Sequence, residues 1–170
     1  EKRDLVSSVE RLSPHALGYR IRSADPAGRY ALVKEIISDP DLPCVLLHTR
    51  LEGEEEFIRR LHVYVLAAPH LDGGGWGNDG YVMEGAGRRI LTAAKEGTWL
   101  ALAATVPFSR LSCGYVGRSD GWTDLAHNLH MDWEFDQASD GNIALTGELD
   151  LRGQREWTLG LALGDGTHDA

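Results

Sequence analysis

An all-β, antiparallel β-sandwich is the fold that this sequence predicts, and three observations predict it. Segments with an apolar residue at every second position recur along the chain, and a period of two marks a strand with one wet face. The 20 glycines follow no repeat and supply the tight turns that many short strands need. Helical patterning is thin: one turn at Trp122–Asn128, with Asp120 placed to cap it, is the exception. A chain of 170 residues can build one real hydrophobic core, so residues 1–170 read as a single β-sandwich domain.

In chain order, the first strand candidates are Leu5–Val9 and Tyr19–Ser23. Tyr30–Ser38, Val45–Leu51, Leu61–Ala67 and Trp99–Thr105 are apolar on both faces, which predicts strands covered on both sides. Shorter candidates are Tyr81–Met83, Ile90–Ala94 and Leu111–Val116. Turn signals separate them at Asp25-Pro26, Asp39-Pro40, Leu51-Glu52-Gly53, Glu96-Gly97 and Asp120-Gly121. Near the end, Met131, Trp133 and Phe135 alternate with Asp132, Glu134 and Asp136. Ile143, Leu145, Leu149 and Leu151 oppose Asn142, Thr146, Glu148 and Asp150, and Trp157, Leu159, Leu161 and Leu163 oppose Thr158, Gly160 and Ala162. Breaks at Asp140-Gly141 and Arg152-Gly153 turn these three segments into a predicted meander.

Lys and Arg number 17 against 26 Asp and Glu, a net charge of −9. That excludes a nucleic-acid partner, which needs a basic stripe, and an anionic membrane surface. It leaves a neutral partner, such as a carbohydrate or another protein surface. Cys44 and Cys113 lie far apart in no metal-like spacing and read as free thiols. The chain opens on Glu1-Lys2-Arg3-Asp4 without Met and runs at once into strand-like sequence, which reads as a cut inside a larger protein.

Three constellations bear on chemistry. In Leu71–Gly80 the glycines allow close backbone approach, and Asp72, Asn78 and Asp79 offer oxygens to a hard cation. The spacing lacks the alternating ligands and the downstream Glu of the known calcium loop, and no Lys-Ser/Thr follows for a phosphate cradle. A glycine-rich loop between strands, without metal, is the simpler reading. Asp124, His127, His130, Asp132, Glu134 and Asp136 are rich in ligand types, and His127 with His130 is spaced like a zinc pair. Yet the last three carboxylates alternate with apolar residues, as the wet face of a half-buried strand does. Glycoside hydrolysis needs an acid and a base, but Glu54-Glu55-Glu56 is a charge run at a turn, and Glu134 and Glu148 fall on predicted exposed faces. Ser112 and Cys113 lack the setting of a nucleophile elbow. No residue stands out as catalytic, and no cofactor is implied.

Of the five tryptophans, Trp99, Trp133 and Trp157 fall in strand phases that predict burial. Trp76 and Trp122 lie in polar loops and are predicted to be exposed, as contact residues often are.

Gly114-Tyr115-Val116-Gly117-Arg118-Ser119-Asp120-Gly121-Trp122-Thr123-Asp124-Leu125 resembles a signature of the N-terminal domain of bacterial glucoamylases and glucodextranases. Further blocks are similar in the same order: Glu1–Asp4, Gly28-Arg29-Tyr30 leading to Ser38-Asp39-Pro40, Val63–Leu71, Gly141–Leu151 and Thr158–Gly164. The resemblance implies a supersandwich of the galactose-mutarotase type, packed on a separate (α/α)6 catalytic domain that carries the two carboxylates hydrolysing terminal α-linked glucose with inversion. Nothing resembling that barrel is present, so the resemblance assigns no catalytic residue here. It further implies that family strands normally precede Glu1, leaving the sandwich incomplete at its N-terminus and exposing a sheet edge that a homodimer would cover.

On this basis the chain is expected to act as a scaffold for the catalytic domain. Tyr115, Asp120, Trp122 and Asp124 are the expected contact residues, because a polar, glycine-punctuated loop has no core use for a tryptophan. The alternative for Asp120 and Asp124 is that they only bond their own loop. A second reading is an α-glucan-binding module stacking sugars on Trp76 and Trp122. A third is a sugar epimerase, which requires His48, His62 or His70 to meet a carboxylate in a concave site.

Overall fold

The computed structural model describes residues 4–166, so Glu1-Lys2-Arg3 lies outside the described residues. Strand makes up 57% of the chain and helix 9%. The strands are β1 (Val6–Ser13), β2 (Ala16–Ala24), β3 (Tyr30–Ser38), β4 (Cys44–Gly53), β5 (Val63–Ala67) and β6 (Asn78–Gly85). They continue as β7 (Arg88–Lys95), β8 (Thr98–Ala104), β9 (Phe108–Tyr115), β10 (Gln137–Gly141), β11 (Ile143–Leu149) and β12 (Glu156–Gly164). Two helices, α1 (Glu55–Ile58) and α2 (Gly121–Asn128), and a 3-10 turn at Leu71–Gly73 complete the described elements. The described residues fall into two compact units, 4–61 with 151–160, and 62–150 with 161–166.

In the first unit, β1, β2, β3 and β4 pair in sequence order and the N-terminal part of β12 follows β4. The register aligns Val9, Ile21, Lys34 and Thr49 across the sheet, so one face carries Val9, Leu17, Tyr19, Ile21, Ile36 and Leu47. On the opposite face Arg20 bonds Glu10 at 2.5 Å and Glu35 at 2.8 Å, and Glu52 pairs with Arg22 and Arg50. Interspersed charges of this kind suit a wet face. The prediction that Tyr30–Ser38 and Val45–Leu51 are covered on both sides is therefore corrected: Ile37 and Val45 are exposed, and ion pairs line one face. The Glu54-Glu55-Glu56 run opens α1, whose Phe57 ring stacks on Tyr30 at 5.6 Å beneath the Arg29 guanidinium.

The second unit is a sandwich of two sheets. The three-stranded sheet runs β5-β11-β9, and facing it are the C-terminal part of β12, then β8, β7, β6 and β10. Leu91, Ala93, Leu100, Leu102, Leu111, Cys113, Ile143 and Leu145 fill the space between them. A Cβ at Gly80 of β6 would sit 2.7 Å from the Ile143 side chain, so only glycine permits this close approach.

The predicted meander is not formed. Residues 131–136 form no strand, although the Phe135 and Asp136 carbonyls each accept one backbone N–H, of Cys113 and Val82 (2.8 Å each), and β11 and β12 enter different sheets. The reason is local: the Asp132 and Trp133 N–H groups donate to the Asp124 carboxylate and that of Phe135 to Ser112 Oγ, so side chains take the bonds that a ladder would need. Met131 is buried as expected, but Trp133 is only half-buried and Phe135 exposed. Trp99 is likewise not core; it stacks on Tyr81 at 6.0 Å on the face of β8 turned away from the sandwich interior. Trp157 is buried as predicted. Leu61–Ala67 yields β5 from Val63, an edge strand of its sheet with Leu66 exposed, rather than a strand covered on both sides.

Candidate functional site

The Leu71–Gly80 segment is organised from within by Asn78, whose side chain is fully buried. Its Oδ1 accepts the Leu71 N–H at 3.2 Å, and its Nδ2 donates to the carbonyls of Gly74 (2.9 Å) and Gly75 (2.7 Å). Asp79 Oδ1 accepts the Asp140 N–H at 2.8 Å, tying the loop to the end of β10. Asp72 stands exposed with φ 49°. The three oxygen-bearing side chains that raised the question of a cation are thus not gathered on one point: two are spent on backbone groups. Among the described residues no group of three or more His, Cys, Asp or Glu is placed to hold a metal ion. The loop leaves Trp76 77% exposed.

The second region is the passage from β9 into α2. Asp120 takes the N-cap position with extended φ/ψ, and its Oδ1 accepts the Thr123 N–H at 2.6 Å, as the sequence predicted. Its Oδ2 accepts the Gly117 N–H, and Ser119 Oγ accepts the Tyr115 N–H at 3.0 Å. Asp124 Oδ2 accepts two backbone N–H groups, of Asp132 and Trp133, both at 2.8 Å. Both aspartates are buried and bonded to their own loop, which is the alternative the sequence left open for them. They act as braces. Trp122, one residue into the helix they brace, is 56% exposed. Tyr115 is partly exposed, with its hydroxyl fixed between the carbonyl and N–H of Ser139 at 3.1 Å each.

A third cluster was not read from the sequence. The β5-β11-β9 register sets Tyr64, Glu148 and Arg110 in one row. His62 Nδ1 lies 2.6 Å from Glu148 Oε1, Arg110 Nε lies 4.0 Å from Glu148 Oε2, and the His62 ring stacks on Tyr64 and meets His130 edge-on at 5.7 Å. Glu148 is 15% exposed, not open to solvent as its strand phase suggested. Only sheet register brings His62 to a carboxylate 86 residues away. Of the other histidines considered, His48 approaches Thr158 Oγ1 at 3.1 Å and Glu156 at 4.0 Å, while His70 meets no carboxylate among the described residues. His127 Nδ1 is engaged by the Thr123 carbonyl at 2.6 Å. Both cysteines are free, and burial pushes the Cys113 thiol up to about 12.

The sequence model of the family described as "Glucodextranase, domain N" matches residues 1–170. The chain belongs to the glucodextranase domain N family. A glucoamylase of Clostridium sp. (strain G0005) is 30% identical over 170 residues, covering 100% of this chain and 24% of its own length. The solved structure of a bacterial glucoamylase complexed with acarbose aligns with TM-score 0.92 and 29% identity, over 99% of this chain and 25% of that one. An inverting mannosidase of family GH92 from Bacteroides thetaiotaomicron VPI-5482 aligns with TM-score 0.52 at 10% identity, over 96% of this chain and 18% of that one, and shares the fold alone. This domain N chain thus spans about a quarter of the glucoamylases it matches.

Proposed function

We propose that this chain is a non-catalytic domain of a glucoamylase-like hydrolase acting on terminal α-linked glucose, and that it serves as a scaffold packed on an (α/α)6 catalytic domain. The observation that carries the scaffold role is Trp122. Two buried aspartates spend four backbone hydrogen bonds on fixing the short helix and the chain around it, yet the large side chain this displays is left more than half exposed. A rigid, bare aromatic group is a contact anchor, since little side-chain freedom is lost when it is covered. Tyr115, pinned by Ser139, extends the same surface.

The test is to produce the full-length enzyme with Trp122→Ala. The expected result is an unchanged rate at low temperature with a shortened activity half-life on heating; an unchanged half-life refutes the contact. The isolated chain is expected to release no glucose from starch, maltose or dextran. Turnover that disappears when a carboxylate of this chain is substituted refutes the scaffold reading. A homodimer is supported by β1, which stands at a sheet edge with Val6 66% and Val9 65% exposed. Sedimentation equilibrium showing only monomer at micromolar concentration refutes it.

A further inference from the structure

Of the described tryptophan, tyrosine and phenylalanine side chains, Trp76 is the most exposed. Its loop is nevertheless rigid, because the buried Asn78 amide ties together the backbone at Leu71, Gly74 and Gly75. Burying an amide to fix a loop is costly unless every bond is made, and here the segment so fixed displays one large side chain to solvent.

The glycines beside Trp76 also let polar groups close in. A Cβ at Gly74 would lie 3.0 Å from Lys95 Nζ, and one at Gly75 would lie 3.2 Å from His70 Nε2. One at Gly77 would lie 3.9 Å from Asp140 Oδ1. The side-chain polar groups of His70, Lys95 and Asp140 have no hydrogen-bond or ion-pair partner among the described residues. The glycines on either side of the exposed Trp76 thus run past polar side chains that are unpaired among the described residues.

The charges decide what kind of ligand fits. Lys95 disfavours a cation and Asp140 an anion, and the net charge of −9 opposes a polyanion. A neutral molecule with one flat C–H face and a rim of hydroxyls satisfies the ring and the polar groups together. That is a pyranose unit. We propose that Trp76, with His70, Lys95 and Asp140, forms a binding subsite for a neutral glycan chain, one sugar ring stacking on the indole. The choice of an α-glucan rests on the reading of the parent protein as a glucoamylase-like enzyme; the geometry itself asks only for a neutral pyranose.

Titration of the chain with maltoheptaose, followed by tryptophan emission and calorimetry, tests this. Saturable binding is expected that is insensitive to salt, since the ligand is uncharged. Trp76→Ala is expected to weaken binding roughly tenfold or more, the size of one lost stacking contact, and Lys95→Ala and Asp140→Ala severalfold each. Circular dichroism and the unfolding midpoint of Trp76→Ala should match the parent chain, because the side chain is so exposed. No saturation up to about 10 mM maltoheptaose, or equal binding by Trp76→Ala, overturns the proposal. A Trp76 emission shift on adding the separate catalytic domain, with no response to maltoheptaose, overturns it in favour of a protein contact. Those results leave the scaffold reading standing, because that reading is tested by the heat-inactivation of the Trp122 variant and by turnover of the isolated chain, neither of which depends on Trp76.

Discussion

Asn78→Ala removes three hydrogen bonds of 3.2 Å or shorter, from the Leu71 N–H to Oδ1 and from Nδ2 to the Gly74 and Gly75 carbonyls, along with a marginal one of 3.5 Å from Nδ2 to the Trp76 carbonyl. At roughly 1 kcal/mol net for each, the loss is about 3 kcal/mol. Because the residue is fully buried, the vacated volume adds to the cost rather than filling with solvent. For a chain of this size about 3 kcal/mol lowers the melting temperature by roughly 6–12 °C. Urea unfolding reads the change as a lower midpoint at unchanged slope, and hydrogen exchange at the Leu71 amide should accelerate because its acceptor is gone. Asn78→Asp separates donor from acceptor. It keeps the oxygen facing Leu71 but turns a second oxygen toward two carbonyls, which oppose its charge. Its folded pKa is then raised above about 3.9, so the variant is most stable at low pH and loses stability as pH rises through that raised value. The reasoning is refuted if Asn78→Ala costs less than about 1 kcal/mol, or if Asn78→Asp is equally stable at acid and neutral pH.

The two N–H groups held by the Asp124 carboxylate make Asp124→Ala cost about 3 kcal/mol in urea unfolding, charged acceptors being the stronger ones. Asp124→Asn, which keeps an acceptor oxygen, should cost less; equal losses would discount the hydrogen bonds. Gly114→Ala places a Cβ 1.9 Å from the Ser119 carbonyl oxygen, a backbone atom that cannot step aside. Its melting temperature should fall more than that of any exposed-surface variant, and a fall of only a degree or two would refute the fit. Arg29 grips both oxygens of Asp25 and holds its carboxyl down at about 2. The stability from this pair is complete above about pH 4 and is lost as pH falls toward 2, so Asp25→Asn should flatten that part of the pH–stability curve. Persistence of the full slope would assign it to other groups. Burial and a raised pKa make Cys113 inert, so iodoacetamide at neutral pH should label half-buried Cys44 first. Labelling of Cys113 at the same rate would show that the core opens readily.

Much of the architecture is written in local pattern. Alternation and short apolar runs between turn signals placed candidates on every strand element except β10, with β3, read from an apolar run, matching residue for residue, because both patterns follow from a strand's own backbone and its neighbouring turns. The same holds for the α2 cap: Asp120 three residues before Thr123 satisfies an N–H from within one turn. Exposure of Trp76 and Trp122 was legible too, since polar, glycine-rich neighbours offer a large ring nothing to pack against. What the sequence left open were matters decided by distant partners. Whether Met131–Asp136 pairs depends on Asp124 and Ser112 taking its N–H groups, and β11 and β12 part company because their neighbours, β5 and β9 on one side and β4 and β8 on the other, come from elsewhere in the chain. Trp99 and Phe135 share the apolar phase of core residues, but phase says only which residues share a face, and tertiary packing decides which face is covered. The His62–Glu148 contact and the convergence of His70, Lys95 and Asp140 on the Trp76 loop arise for the same reason. Local backbone geometry sets period and caps within a few residues, whereas register across a sheet joins residues whose separation in sequence carries no signal.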